Sequence, residues 1–170
     1  MKALVLSDTH GTTEEVAEVC ARHREEVDAI FHCGDSELPS SSPVLEEMYV
    51  VLGNCDLKNA FPEEIVEEVE GVRIYMTHGH NYNVKMSYVP ITYRGEEKGV
   101  HLVFFGHSHV PVAFQQNGIV YVNPGSLLIP RSRSERSYAL VHATGEEVTV
   151  QFFERDSGRE LTDMRESFSL

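Results

Sequence analysis

Short apolar runs recur along this chain, and each stops at a polar turn. Residues 3–6 run into Ser7-Asp8-Thr9-His10-Gly11, residues 29–33 into Gly34-Asp35, and residues 49–52 into Gly53-Asn54-Cys55-Asp56. Unbroken apolar stretches of this length predict strands buried on both faces. After the first run, Thr12 or Thr13 supplies a helix cap, with Glu14 and Glu15 in the first turn. Val16, Val19 and Cys20 then recur at helical spacing, and His23 and Arg24 fall near the helix end. A Ser/Pro-rich stretch over 39–43 reads as loop.

Downstream the texture changes. Residues 65–69 and 72–76 flank Glu70-Gly71 and predict a hairpin whose second arm ends at Thr77-His78-Gly79-His80. Residues 84–98 suit a helix that Pro90 must kink or divide. Residues 102–105 form another buried strand, ending at Gly106-His107-Ser108-His109. Asn117-Gly118 between apolar runs is a hairpin turn, and 137–141 pairs with 148–153 around Thr144-Gly145. The tail after Asp156 is polar and weakly specified, as edge strand or coil. There is no internal repeat and no linker, so residues 1–170 read as one domain. Helices interleave with strands early and hairpins dominate late, which predicts a mixed α/β sandwich rather than a purely parallel sheet.

The chemistry sits at the strand ends. Asp8 with His10, Asp35, Asn54, His78, and His107 with His109 each follow a predicted strand. In packed α/β folds the carboxyl ends of neighbouring strands meet at one crevice. Two carboxylates, four imidazoles and an amide oxygen, without a thiolate, suit Mn²⁺, Fe²⁺ or Zn²⁺. Seven donors exceed one ion's needs and divide between two, with a carboxylate as bridge. Gly34, Gly53, Gly79 and Gly106 stand beside the ligands, where backbone must approach closely. Locally extended backbone is expected to put Asp8 with His10, and His107 with His109, on common sides.

Charge narrows the partners. With 27 acids against 14 bases the net charge is −13, which argues against duplex nucleic acid and anionic membrane surfaces. It leaves a small phosphate substrate open, because two divalent ions would dominate the local field. Cys20, Cys33 and Cys55 make no disulfide framework, and Cys20 and Cys33 read as free thiols. The acidic residue at position 8 and the lack of any apolar run near ~20 residues place the protein in the cytoplasm as an expectation. His32, inside an apolar strand, is expected to be a satisfied core histidine. His23, His101 and His142 read as surface or helix-end residues. Arg131, Arg133 and Arg136 form a solvated loop, a rim that attracts phosphate, or a patch that pairs with another subunit.

In order, Asp8-Thr9-His10, Gly34-Asp35, Gly53-Asn54-Cys55-Asp56, His78 and Gly106-His107-Ser108-His109 resemble the motifs of the calcineurin-like metallophosphoesterase superfamily. The compact length, Thr77-His78-Gly79-His80 and Asn123-Pro124-Gly125-Ser126 look most like its small YfcE-like phosphodiesterases. The resemblance implies a four-layer α/β/β/α sandwich of two mixed sheets flanked by helices, with a dinuclear centre at its edge. It implies one ion on Asp8, His10 and His109, another on Asn54, His78 and His107, and Asp35 between them. The cofactor expected is two divalent ions, Mn²⁺ first, with Fe²⁺, Zn²⁺, Ni²⁺ or Co²⁺ as alternatives. The carboxylates then fix the ions rather than act as nucleophiles, and a hydroxide bridging the ions attacks a phosphodiester, or less readily a monoester.

One position departs from the superfamily. Its usual histidine after Asn54, the expected leaving-group acid, is Cys55 here, and the YfcE-like subgroup tends to lack it too. Asn54, Cys55 and His80 are therefore the catalytic candidates, His80 for its place two residues after His78. The rival reading is a non-catalytic, metal-binding interaction scaffold of the same fold, as a retromer subunit is. A single-zinc hydrolase is a third reading, and self-association through edge strands stays open.

Overall fold

The computed structural model describes residues 1–170. The first sheet is built around β1 (Lys2–Leu6), β2 (Ala29–His32) and β3 (Met48–Val50), all mutually parallel along the order β1-β2-β3. Helix α1 (Glu14–His23) makes the crossover from β1 to β2. The second sheet uses β4 (Glu64–Val69) and β5 (Val72–Thr77), then helix α2 (Val89–Lys98), β6 (Leu102–Phe104), β7 (Val112–Gln116) and β8 (Ile119–Asn123). The chain then returns to the first sheet through β9 (Ser137–Ala143), β10 (Glu147–Glu154) and β11 (Glu166–Ser169). The orders are β11-β10-β9-β1-β2-β3 and β4-β5-β6-β8-β7. Both sheets are mixed: β5, β6 and β8 run parallel, while β9 pairs antiparallel with β1.

Alternation within the apolar runs creates the layers. In β1, Ala3 and Val5 enter a core shared with Phe31, Ile74, Phe104 and Val122, between the sheets. Leu4 and Leu6 point the other way, onto Val16, Val19 and Cys20 of α1. In the second sheet Tyr75, Val103 and Tyr121 face outward onto Ile91 of α2. Two apolar faces per strand, each roofed, explain why these strands read as unbroken apolar runs. The architecture is the expected four-layer α/β/β/α sandwich.

Several boundaries differ from the sequence expectation. The helix expected over 84–98 starts at Val89, because Pro90 fits only in a first turn, where its missing N–H breaks no bond. Val84 to Tyr88 instead forms turns that precede the helix. The tail adds β11 as an edge strand on β10, in register Val148 with Phe168. Thr13 stands at the α1 cap position but makes no side-chain capping bond. His32 is fully buried and bonded to Thr9 Oγ1 at 2.9 Å, a satisfied core histidine held neutral by burial, its pKa lowered to about 4. His23 does end α1 but is buried, bonded to the Tyr138 hydroxyl at 2.9 Å, because the helix end leans on the outer face of β9. His101 and His142 are exposed, and all three cysteines are free. No helix is long and apolar enough to cross a membrane.

Glu64 pins α2 to the edge of its sheet. It accepts from Arg94 Nη2 at 2.6 Å, Lys98 Nζ at 2.9 Å and the Tyr75 hydroxyl at 2.8 Å. Burial alone would raise its pKa, but these donors outweigh burial and hold it down at about 2. A depressed folded pKa gives stability that is present above the unfolded value and lost as pH falls toward the folded one. Glu64→Gln should therefore lower stability at pH 7 by about 1 kcal/mol, after discounting for partial exposure. Thermal melts of both proteins between pH 7 and pH 2 should show the wild-type advantage fade below about pH 4.5 and vanish near 2.

Candidate metal centre

The carboxyl ends of β1, β2, β3, β5 and β6 open onto one edge of the sandwich and carry the seven predicted ligands. Asp8, His10 and His109 place one donor atom each within 4.8 Å of one another, and so do Asp8, Asp35 and His78. His107 stands beside His78, ring centroids 5.1 Å apart, and His80 lies 5.4 Å from His78 and 6.1 Å from His107. The two histidines after β6 thus diverge, His109 toward Asp8 and His10, His107 toward His78 and His80. Asp35 takes part in two clusters, the second with His10 and Cys55. Asn54 is exposed and donates to Cys55 Sγ at 3.2 Å.

The expectation of extended ligand pairs is corrected. Asp8, His10, Asp35, His107 and His109 all have left-handed backbone, with φ of 53°, 46°, 54°, 66° and 59°. Each such residue stores about 1–3 kcal/mol that surrounding contacts must offset. The backbone bonds that hold the turns are visible: Asp8 and His10 N–H donate to the carbonyls of Gly34 and Asp35 at 3.0 Å. Gly53 and Gly106 satisfy the close-approach expectation. A Cβ on Gly53 would sit 2.1 Å from Asp35 Oδ1, and one on Gly106 2.0 Å from Ser7 Oγ.

Three imidazoles are aimed from behind. His78 Nδ1 donates to the Cys33 carbonyl at 2.7 Å, and His109 Nδ1 donates to the Ile129 carbonyl at 2.6 Å. His10 Nδ1 meets the Glu37 carboxylate at 2.5 Å. Because a carbonyl only accepts, Nδ1 carries the proton in His78 and His109, so Nε2 of the neutral ring is a lone pair. Those lone pairs face carboxylates, His78 Nε2 at 3.3 Å from Asp35 Oδ2 and His109 Nε2 at 3.1 Å from Asp8 Oδ1. Asp8 Oδ1, His10 Nε2 and His78 Nε2 are buried and have no hydrogen-bond partner. Lone pairs facing lone pairs in a buried site need either a proton or a cation between them. Anchoring one imidazole nitrogen to a carbonyl or carboxylate is also how metal-bound histidine is held. The donor set therefore fits divalent metal.

The charges respond accordingly. Burial opposes ionisation of Asp8 and Asp35, yet the neighbouring imidazoles hold both carboxyls below their ordinary range. Burial likewise opposes charge on His78 and His109, but Asp35 and Asp8 raise both. His107 is pushed down to about 4, by burial first and then by the charges of His78 and Lys85. Burial and His78 also lower His80, which favours its neutral ring near pH 7. The Cys55 thiol is pushed up to about 11, by burial and then by Asp35, and so stays protonated.

A model of the calcineurin-like phosphoesterase superfamily domain matches residues 1–146. The chain belongs to that superfamily. This phosphoesterase is 38% identical to a probable metallophosphoesterase, YsnB, of Bacillus subtilis over 170 residues, covering 100% of both chains. It is 27% identical to the phosphodiesterase YfcE of Escherichia coli, covering 83% of this chain and 87% of that one. A crystal structure of a predicted phosphoesterase from Streptococcus pneumoniae TIGR4 superposes with a TM-score of 0.94 at 36% identity, covering 99% of this chain and 97% of that one.

Supporting residues were less legible than ligands. Asp56 accepts from the backbone N–H of Asp35 and Gly53 at 2.8 Å and of Glu37 at 2.7 Å, and from Ser36 Oγ at 3.1 Å. Ser126 Oγ donates to the Asp8 carbonyl at 2.7 Å, and Asn123 Nδ2 donates to the Gly106 carbonyl at 2.8 Å. Asn123 ends β8 and Ser126 follows it, a sixth strand end. The only sequence signals were Asp56 beside Asn54 and the Asn123-Pro124-Gly125-Ser126 turn. Asp56→Ala would orphan three backbone donors that shape the Asp35 and Gly53 turns. Metal titration by calorimetry should show affinity reduced by roughly 10–100-fold, as for other lost outer partners of ligands.

Proposed function

We propose that this phosphoesterase hydrolyses small phosphate esters, phosphodiesters ahead of monoesters, using two divalent ions held by Asp8, His10, Asp35, Asn54, His78, His107 and His109. The observation that carries the reading is the pair of imidazole nitrogens facing buried carboxylates across 3.3 and 3.1 Å, contacts that are repulsive with neutral rings and that a cation between the groups would make attractive. In this reading Asp8, His10 and His109 hold one ion, Asn54, His78 and His107 the other, and Asp35 lies between. Oxygen and imidazole donors favour Mn²⁺, with Fe²⁺, Zn²⁺, Ni²⁺ and Co²⁺ as alternatives. When bound, such ions supply Lewis-acid charge and a water acidified toward neutrality.

The chain's own residues orient the ester and handle its protons. The exposed Asn54 amide can donate to a phosphate oxygen. His80, half-buried beside His78 and His107, is the candidate donor to the leaving-group oxygen. Its lowered pKa limits its imidazolium fraction near pH 7, so hydrogen bonding to phosphate is the competing role. Cys55, protonated and exposed, is a weaker candidate for the same position. Three free thiols agree with a cytoplasmic setting, which belongs to the same proposal.

Metal-stripped protein should regain cleavage of a chromogenic phosphodiester when Mn²⁺, Zn²⁺, Ni²⁺ or Mg²⁺ is restored singly. Asp35→Asn and His109→Ala should each lose about 100-fold or more, as a lost transition-state charge contact does. Two ions bound per chain without turnover would favour the interaction scaffold, and one tightly held ion would favour a mononuclear hydrolase. His80→Ala should reduce kcat about 10²-fold on an ester with a poor leaving group and much less on nitrophenyl esters. Equal losses on both would assign His80 to phosphate binding instead.

A further inference from the structure

Nine of the fourteen lysines and arginines are paired with carboxylates, and Lys58, Arg73, Lys85, Arg131 and Arg159 are not. Of the arginine group after β8, Arg133 pairs with Glu135 and Asp163, and Arg136 pairs with Asp156. Arg131 alone stays free. It shares one cavity of about 410 Å³ with Lys85, walled by Val84, Tyr88, Ser108 and Val110. In a chain with 27 acids, this cavity has two unpaired cations and no carboxylate in its lining.

The cavity is built onto the ligand loops. Ser108 separates His107 from His109. The Arg131 N–H donates to the His109 carbonyl at 3.1 Å, so the arginine is tied directly to a ligand. Lys85 follows Val84, which fills the space over Gly79, next to His78. Its positive charge acts on both His107 and His109. Ser108 Oγ accepts from Asn123 and from the Val110 N–H, which leaves its own proton to donate. Two cations and a hydroxyl donor on an apolar wall suit an anion attached to a less polar group.

We infer that Lys85 and Arg131 form a second-anion subsite, selecting phosphate esters whose retained part carries another phosphate, as a nucleoside bisphosphate does. This rests on the phosphoesterase reading above for the chemistry, but the cavity binds its anion independently of turnover. The discriminating pair is the p-nitrophenyl ester of thymidine 5′-phosphate with and without a 3′-phosphate, both releasing the same chromophore. Wild type should favour the 3′-phosphorylated ester by roughly tenfold in kcat/KM, and Lys85→Ala/Arg131→Ala should bring that ratio near one.

Calorimetry on the metal-loaded protein should show thymidine 3′,5′-bisphosphate bound roughly tenfold tighter than thymidine 5′-phosphate, again only with the two cations present. Lys85→Glu should invert the preference. Both side chains are exposed, so unchanged melting temperatures will verify folding. Equal affinities in wild type, or a preference retained in the double variant, would overturn the subsite. If neither ester is cleaved while the binding preference holds, the hydrolytic reading fails and the subsite stands.

Discussion

Two buried carboxylates held against imidazole nitrogens are the constraint on which the rest of the site depends. Asp8 and Asp35 sit where solvent cannot screen them, at 0% and 2% exposure. His78 and His109 cannot turn away, because their rear nitrogens are committed to the carbonyls of Cys33 and Ile129. A fold that locks four groups in this arrangement stores electrostatic strain that only a positive charge relieves. Stability and metal affinity are therefore coupled, since an ion that binds only the folded chain stabilises it by mass action.

The backbone carries a second strain that serves the same end. Left-handed residues at five of the seven proposed ligands would be unstable in isolation. They persist because the turns bond to one another across the sandwich edge. His107 N–H reaches Asp8 Oδ2 at 3.1 Å, Gly106 N–H reaches the His78 carbonyl at 3.0 Å, and Asp56 gathers the turns after β2 and β3. The two sheets are thus joined at this edge by polar bonds and elsewhere by the apolar core around Phe31 and Phe104. Displacing either sheet relative to the other would separate the ligand sets.

The chain carries a net charge of −13, and that gives its unpaired cations meaning. Most cations are neutralised locally, as Arg94 and Lys98 are by Glu64. Lys85 and Arg131 are left free beside the edge of the sandwich where the proposed histidine and carboxylate ligands converge. Two free cations beside an otherwise acidic chain are the charge arrangement on which the proposed anion subsite rests.

The sequence by itself determined the strand runs, the α/β class and the positions of the proposed ligands, because burial on both faces leaves unbroken apolar runs and the candidate donors follow their ends. It also exposed three hairpins, since Glu70-Gly71, Asn117-Gly118 and Thr144-Gly145 are local turn chemistry that acts without tertiary help. Tertiary structure alone decided where α2 begins and that His23 is buried. It also decided which arginine stays unpaired. Those outcomes depend on contacts between residues far apart in the chain, such as His109 with Ile129, Arg133 with Asp163 and Asp56 with Asp35. Spacing and composition describe a chain locally, and they carry no record of which distant groups packing brings within a hydrogen bond.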